Sequence, residues 1–73
     1  MTYGEAPIVS AAAVVVDREV YVIIWSAGRT TEALRQCGTW ASNHQLNFTW
    51  LDAAVLGQRV RSVAREAVIV DRP

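Results

Sequence analysis

The sequence holds a single cysteine and a single histidine, and this scarcity excludes the usual ways of stabilising a small protein. Cys37 has no second cysteine for an internal disulfide, and His44 has no second histidine with which to share a zinc ion. The chain has only 73 residues, and so short a chain buries only about 60% of the surface that it exposes when unfolded. We therefore expect it to gain stability from a partner, most simply from a second copy of itself.

Lysine is absent, and charge of neither sign is in excess. All seven basic residues are arginine, and seven acidic residues balance them to a net charge of zero. This balance argues against a polyanion that imitates nucleic acid, and against a protein that binds nucleic acid through its overall charge. Global charge therefore indicates no class of partner.

Long hydrophobic runs are also missing. Asp17, Arg18 and Glu19 divide the apolar N-terminal half, and neither part approaches the roughly 20 residues that a membrane-spanning helix needs. Residues 1–7 contain Glu5 and no basic residue, whereas a secretory signal begins with positive charge. We expect a cytoplasmic protein without a membrane segment.

The sequence does contain enough apolar residues for one core. Hydrophobic residues make up 52% of the chain and charged residues 19%, which is typical of a folded domain. We predict one small domain over residues 1–73. Its first seven residues are expected to be an irregular lead-in, because Gly4 and Pro7 disfavour regular structure.

Two runs rich in β-branched and aromatic residues predict a β-hairpin. They are IVSAAAVVV at 8–16 and VYVIIW at 20–25, separated by DRE. DRE lacks the Asn-Gly or Asp-Gly pair of the tightest turns, which favours a longer or bulged connection. Both runs are apolar at consecutive positions, so both sheet faces need cover. Two helices can cover one face, and the other needs a second copy or another protein.

A first helix is predicted from Thr30, acting as the N-cap, to about Asn43. Glu32 falls in its first turn, where a carboxylate favours the positive end of the helix dipole, while Gly38 weakens its middle. Its apolar stripe consists of Ala33, Leu34, Cys37 and Ala41.

A second helix is predicted to begin at about Trp50. Thr49 and Asp52 have the spacing of a capping box, and Phe48 and Ala53 occupy the positions of a hydrophobic staple. Its apolar face consists of Ala53, Leu56, Val60, Val63, Ala64 and Ala67.

The segment 67–71 fits two structures. It can extend the second helix, but Val68, Ile69 and Val70, followed by Asp71, also fit a short third strand at the hairpin edge, which we favour. The predicted fold class is α+β, a β-hairpin followed by two helices packed on one sheet face, assembled as a homodimer.

Catalytic groups are sparse. Cys37 and His44 form the only conceivable nucleophile and base pair. Cys37, however, lies on a predicted apolar stripe, where a free cysteine usually behaves as a small buried hydrophobe. No carboxylate lies close to His44 in sequence, and the glycines form no phosphate-binding run. We predict no catalytic site, no metal site and no cofactor.

Aromatic residues cluster in the segment 39–50. Trp40, Phe48 and Trp50 alternate there with polar residues, and Trp25 at the end of the second strand can join them. The favoured interpretation is a cap on the end of a small core. The alternative is a partner-binding surface formed by these four residues, because tryptophan is enriched at interface hot spots. The identity of that protein partner does not follow from the sequence.

Three arginines fall close together on the second helix. Arg59, Arg61 and Arg65 can contact phosphates, and Arg61 and Arg65 share a face at i, i+4. Glu66 interrupts the patch, so a solvated helix face is the simpler interpretation.

These observations favour a small non-enzymatic protein-interaction module, working as a homodimer. So small a chain is typical of phage or mobile-element accessory proteins that bind and modulate a host protein. One alternative is a dimeric nucleic-acid-binding regulator that uses the three arginines. Another is a small-ligand pocket or enzyme assembled at a dimer interface.

Overall fold

A computed structural model describes the backbone of residues 9–70 and the side chains of residues 9–66. The element order is β1 (Val9–Val16), β2 (Glu19–Ser26), α1 (Thr30–Ser42) and α2 (Trp50–Val70). The strands form a two-stranded antiparallel sheet. The two helices pack against each other, and on the sheet α2 contacts β1 while α1 contacts β2. The α+β layout of a hairpin followed by two helices is confirmed, while the expected lead-in over residues 1–7 lies outside the described residues.

The hairpin turn is shorter than the sequence suggested. Val16 pairs directly with Glu19, so only Asp17 and Arg18 form the turn, and the prediction of a longer or bulged connection is wrong. Asp17 adopts a φ of 56°, a left-handed conformation that a short polar side chain tolerates. Its carboxylate also accepts a hydrogen bond from the Asn47 side-chain amide. Asp17 therefore supplies the positive φ for which a glycine is commonly used.

The core lies between one face of the sheet and the two helices. Strand alternation points Ala12, Val14, Ile23 and Trp25 toward the helices. The most deeply buried side chains are Leu56 and Val60 of α2, both with 0% exposure. The other buried members of this core are Ala33, Cys37, Phe48 and Ala53. The predicted apolar stripes of both helices therefore face the sheet, and the side chain of residue 67 lies outside the described part of the chain.

Helix α1 begins without the predicted threonine cap. Arg29 occupies the N-cap position and makes no side-chain capping hydrogen bond, so Thr30 is the first helical residue. The chain turns at Gly28, where φ is 87°, and the Arg29 amide donates to the Ser26 carbonyl at 3.1 Å. This turn directs the chain into the helix one residue earlier than expected. The Arg29 guanidinium instead pairs with Glu32 at 3.0 Å.

Helix α2 begins with the predicted capping box. The Asp52 amide donates to the Thr49 hydroxyl at 3.1 Å, and the Thr49 amide donates to the Asp52 carboxylate at 2.9 Å. Phe48 and Ala53, at the staple positions, are both buried. The two hydrogen bonds satisfy backbone donors that the first turn of a helix leaves unpaired.

The favoured third strand is wrong, because α2 continues to Val70. Extending an existing helix adds one backbone hydrogen bond per residue, whereas a new strand must first return to a sheet edge. Residue 71 lies outside the described residues. Within the described part of the chain, no helix is long and apolar enough to cross a membrane.

The capping box generates a test of the start of α2. Thr49→Ala should lower the free energy of unfolding by about 1 kcal/mol, because it removes the hydroxyl that accepts from the Asp52 amide. The control is Thr39→Ala, which removes an exposed hydroxyl that donates to the Arg35 carbonyl within α1 and should be neutral or slightly stabilising, because alanine favours a helix interior. Urea denaturation measures both, and equal effects would contradict the assignment.

Candidate interaction surface

The sheet face turned away from the helices is apolar and exposed. We call it the outer face, and it consists of Val9, Ala11, Ala13 and Val15 of β1 and Val20, Val22 and Ile24 of β2. Its five valine and isoleucine side chains are 47–66% exposed. None of the seven residues is polar, and the polar Ser26 lies only at the end of the sheet, opposite Val9. Contiguous exposed apolar surface is typical of interaction sites in folded proteins.

The strand register determines where large and small side chains lie on the outer face. Across the two strands, Ala11 pairs with Ile24 and Ala13 pairs with Val22. Small side chains therefore form a depression along the middle of β1, closed at its ends by Val9 and Val15. Beside it, Val20, Val22 and Ile24 form a ridge along β2. We call these two features the alanine groove and the valine ridge.

The two edges of the sheet differ. Arg59 of α2 donates from Nη1 to the Ala13 carbonyl at 2.7 Å. In a hairpin closed by a two-residue turn, alternate residues direct their backbone groups away from the paired strand, so this contact lies on the outer edge of β1. The edge of β2 instead borders a groove of ≈ 430 Å³ beside α1. Arg59 therefore protects one edge from strand pairing and leaves the other open.

The predicted aromatic cluster divides between core and surface. Trp40 and Phe48 pack with Tyr21, with ring centroids 4.7–5.6 Å apart, and close one end of the core. Phe48 is only 3% exposed and Trp25 only 6%. A hydrogen bond to Glu19 also raises the pKa of the Tyr21 phenol. Two of the four residues predicted to bind a partner thus lie in the interior, and Trp40 is partly buried.

Trp50 is the exposed member of the aromatic set. Its side chain is 63% exposed, and the neighbouring Leu51 is 74% exposed. One edge of the Trp50 ring lies over Gly38, 3.8 Å from where a Cβ on that glycine would stand. Trp50 and Leu51 together expose apolar side chains at the start of α2, on the helical side of the molecule, and we call them the Trp50 surface.

The three arginines of α2 do not share one face. Arg59 reaches the edge of β1, whereas Arg61 extends past Gly57 along the groove between the helices. Residues two positions apart lie about 200° apart around a helix, which explains the division. Arg61 and Arg65 remain together on one exposed side. The proposed phosphate-binding patch therefore retains two of its three arginines.

Cys37 and His44 occupy different environments. Cys37 is buried, its thiol donates to the Ala33 carbonyl at 3.5 Å, and desolvation raises its pKa. It is held as a neutral thiol, which is a poor nucleophile. His44 is exposed in the loop between the helices. Among the residues that the structure describes, no group of three or more acidic, histidine or cysteine side chains is placed to hold a metal ion.

Comparison of the chain with protein-family models, with curated proteins and with solved structures gave no match. Function is therefore inferred from these surfaces. The predicted site residues omitted the outer face, although the sequence indicated that one sheet face needs a partner. The sequence did not specify the length of the hairpin turn. A one-residue change in strand register would turn the opposite set of side chains toward the helices.

The contact between Trp50 and α1 generates a prediction about Gly38. Gly38→Ala should stabilise the protein by about 0.5–1 kcal/mol, because alanine favours the helix interior and its Cβ meets Trp50 at an ordinary contact distance of 3.8 Å. Gly28→Ala is the matched control. It should destabilise the protein despite open space around the site, because φ is 87° there. Thermal unfolding of both variants checks this, and a destabilised Gly38→Ala would contradict the described Trp50 position.

Proposed function

We propose that the protein is a cytoplasmic, non-enzymatic protein-interaction module that works as a homodimer, with the outer face at the subunit contact. The observation that carries this proposal is the exposure of five valine and isoleucine side chains on one face. A folded domain of this size gains little from leaving such a surface in water. A second copy offers the same uncharged, apolar chemistry.

The energies support self-association. The side chains on the outer face are about half to two thirds exposed, so burying each one contributes about 1–2 kcal/mol. Five such side chains from each of two copies contribute about 10–20 kcal/mol, against an association cost of about 4–15 kcal/mol. The gain is of the same size as the cost, which is the condition for a dimer that dissociates on dilution.

The Trp50 surface supports the second part of the proposal, an accessory role in which the dimer binds and modulates another protein, such as the host protein of a phage or mobile element. Tryptophan is enriched at interface hot spots, and Trp50 is 63% exposed. This surface belongs to the helical side of the molecule, so contact through the outer face leaves it accessible.

The first measurement is native mass spectrometry of the untagged chain, purified without nuclease. A clean twofold multiple of the chain mass supports the homodimer. Added mass from a foreign protein in place of a second copy would contradict the homodimer, and added nucleic acid would favour the regulator. A monomer across the whole concentration range would contradict the proposal.

The assignment of sheet faces generates opposite predictions for neighbouring residues. Val22→Asp places a carboxylate on the outer face, where Val22 is 47% exposed, and should dissociate the dimer with little change in monomer folding. Ile23→Asp places it in the core, where Ile23 is 6% exposed, and should unfold the subunit. Circular dichroism and sedimentation equilibrium separate the outcomes. Two folded variants that both remain dimeric would contradict the proposed interface.

The alternative function, a dimeric nucleic-acid-binding regulator, predicts a different response. Because phosphate contacts release counterions, binding to a DNA duplex should weaken steeply as salt rises and should be lost in the double variant Arg61→Glu and Arg65→Glu. Arg59→Gln is the control, since Arg59 contacts the β1 edge instead. Fluorescence anisotropy with labelled DNA measures this, and binding unaffected by salt and by the double variant would reject the alternative.

A further inference from the structure

We infer that the two subunits pack outer face to outer face about a twofold axis parallel to the strands, so that Val22 and Ile24 of each copy's valine ridge lie in the alanine groove of the other. This inference rests on the proposed homodimer and specifies its geometry. It assigns a contact role to Ala11 and Ala13, which nothing in the sequence alone distinguishes from the core alanine Ala12.

The relief of the outer face matches itself under this symmetry. Val20, Val22 and Ile24 project along β2, and the small side chains of Ala11 and Ala13 lie beside them along β1. Turning one copy about an axis along the strands places its β2 over β1 of the other. Val22 then faces Ala13 of the second copy, which lies at the same level along the sheet. Ile24 likewise faces Ala11, so the two large side chains at these levels meet alanines, as close packing requires, while Val20 faces Val15 at one end of the contact.

The other symmetric arrangement of the two faces fits poorly. A twofold axis across the strands places β2 over β2, so the two valine ridges collide, and it places β1 over β1, so the two alanine grooves enclose a gap. Both overpacking and empty space cost stability. The complementary relief therefore distinguishes between two arrangements that bury the same residues.

Edge pairing is the competing mode of assembly. Arg59 covers the edge of β1 through its bond to the Ala13 carbonyl, so edge pairing would join β2 to β2. That arrangement sets Val22 beside Val22 of the second copy and leaves both outer faces in water. Packing the faces together instead forms a two-sheet sandwich with the helices outside, an arrangement in which aligned sheets normally cross at about −30°.

Engineered cysteines test this geometry directly. Ala13→Cys and Val22→Cys are made separately in a Cys37→Ser background, and the proteins are oxidised mildly, each alone and as an equal mixture. The mixture should form an intermolecular disulfide faster than either variant alone, because ridge faces groove. Non-reducing electrophoresis of differently tagged chains identifies the pairs, and circular dichroism confirms that each variant is folded.

Each other result overturns the geometry in a recognisable way. Fast self-linking of Val22→Cys would indicate ridge against ridge or pairing of β2 edges. Fast self-linking of Ala13→Cys would indicate groove against groove. A dimer by sedimentation that forms none of these disulfides has its contact elsewhere. Absence of any dimer in the parent protein would instead reject the homodimer itself, so the two failures are distinguishable.

A size exchange provides an independent test. Ala13→Leu fills the groove and should raise the dimer dissociation constant by about tenfold or more. Adding Val22→Ala lowers the facing ridge and should recover most of that loss. The Arg59 bond involves the Ala13 backbone carbonyl, so it is available in both variants. Equal weakening by the single and double variants would overturn the ridge-in-groove contact.

Discussion

The structure depends on one constraint, which is that the sheet is apolar on both faces and that, within residues 9–70, two helices cover one of them. Helices α1 and α2 together bury the inward face, and the deepest contacts, at Leu56 and Val60, lie there. The opposite face is left with valine, isoleucine and alanine in water. In so short a chain the hydrophobic effect that builds the core also creates a surface that favours assembly.

The two-residue turn at Asp17 and Arg18 determines which residues lie on each face of the sheet. Because Val16 pairs with Glu19, every following pair is set, and with it the face on which each side chain lies. The bond between Asp17 and Asn47 then ties the turn to the loop that precedes α2. Local turn chemistry and long-range packing thus select the same register.

Arg59 shows how one side chain can serve a different purpose from its neighbours. Its sequence context resembles a basic patch, but its bond to the Ala13 carbonyl makes it a cover for the β1 edge. Protecting that edge discourages unlimited strand pairing, which is consistent with the proposed assembly through the outer face. The buried Cys37 similarly contributes to packing, since desolvation holds its thiol neutral.

The sequence by itself determined the features that depend on neighbours along the chain. These include the two strands, the apolar stripes of both helices, the capping box at Thr49 and Asp52, and the need for cover on a second sheet face. Tertiary structure decided the features that depend on contacts between distant segments. Packing buried Trp25 and Phe48 and left Trp50 exposed. The hairpin closed with a two-residue turn, and α2 continued to Val70 where a third strand was expected. The Arg59 side chain of α2 came to bond the edge of β1. Local periodicity specifies which residues share a face, but only the packed register specifies which face meets water.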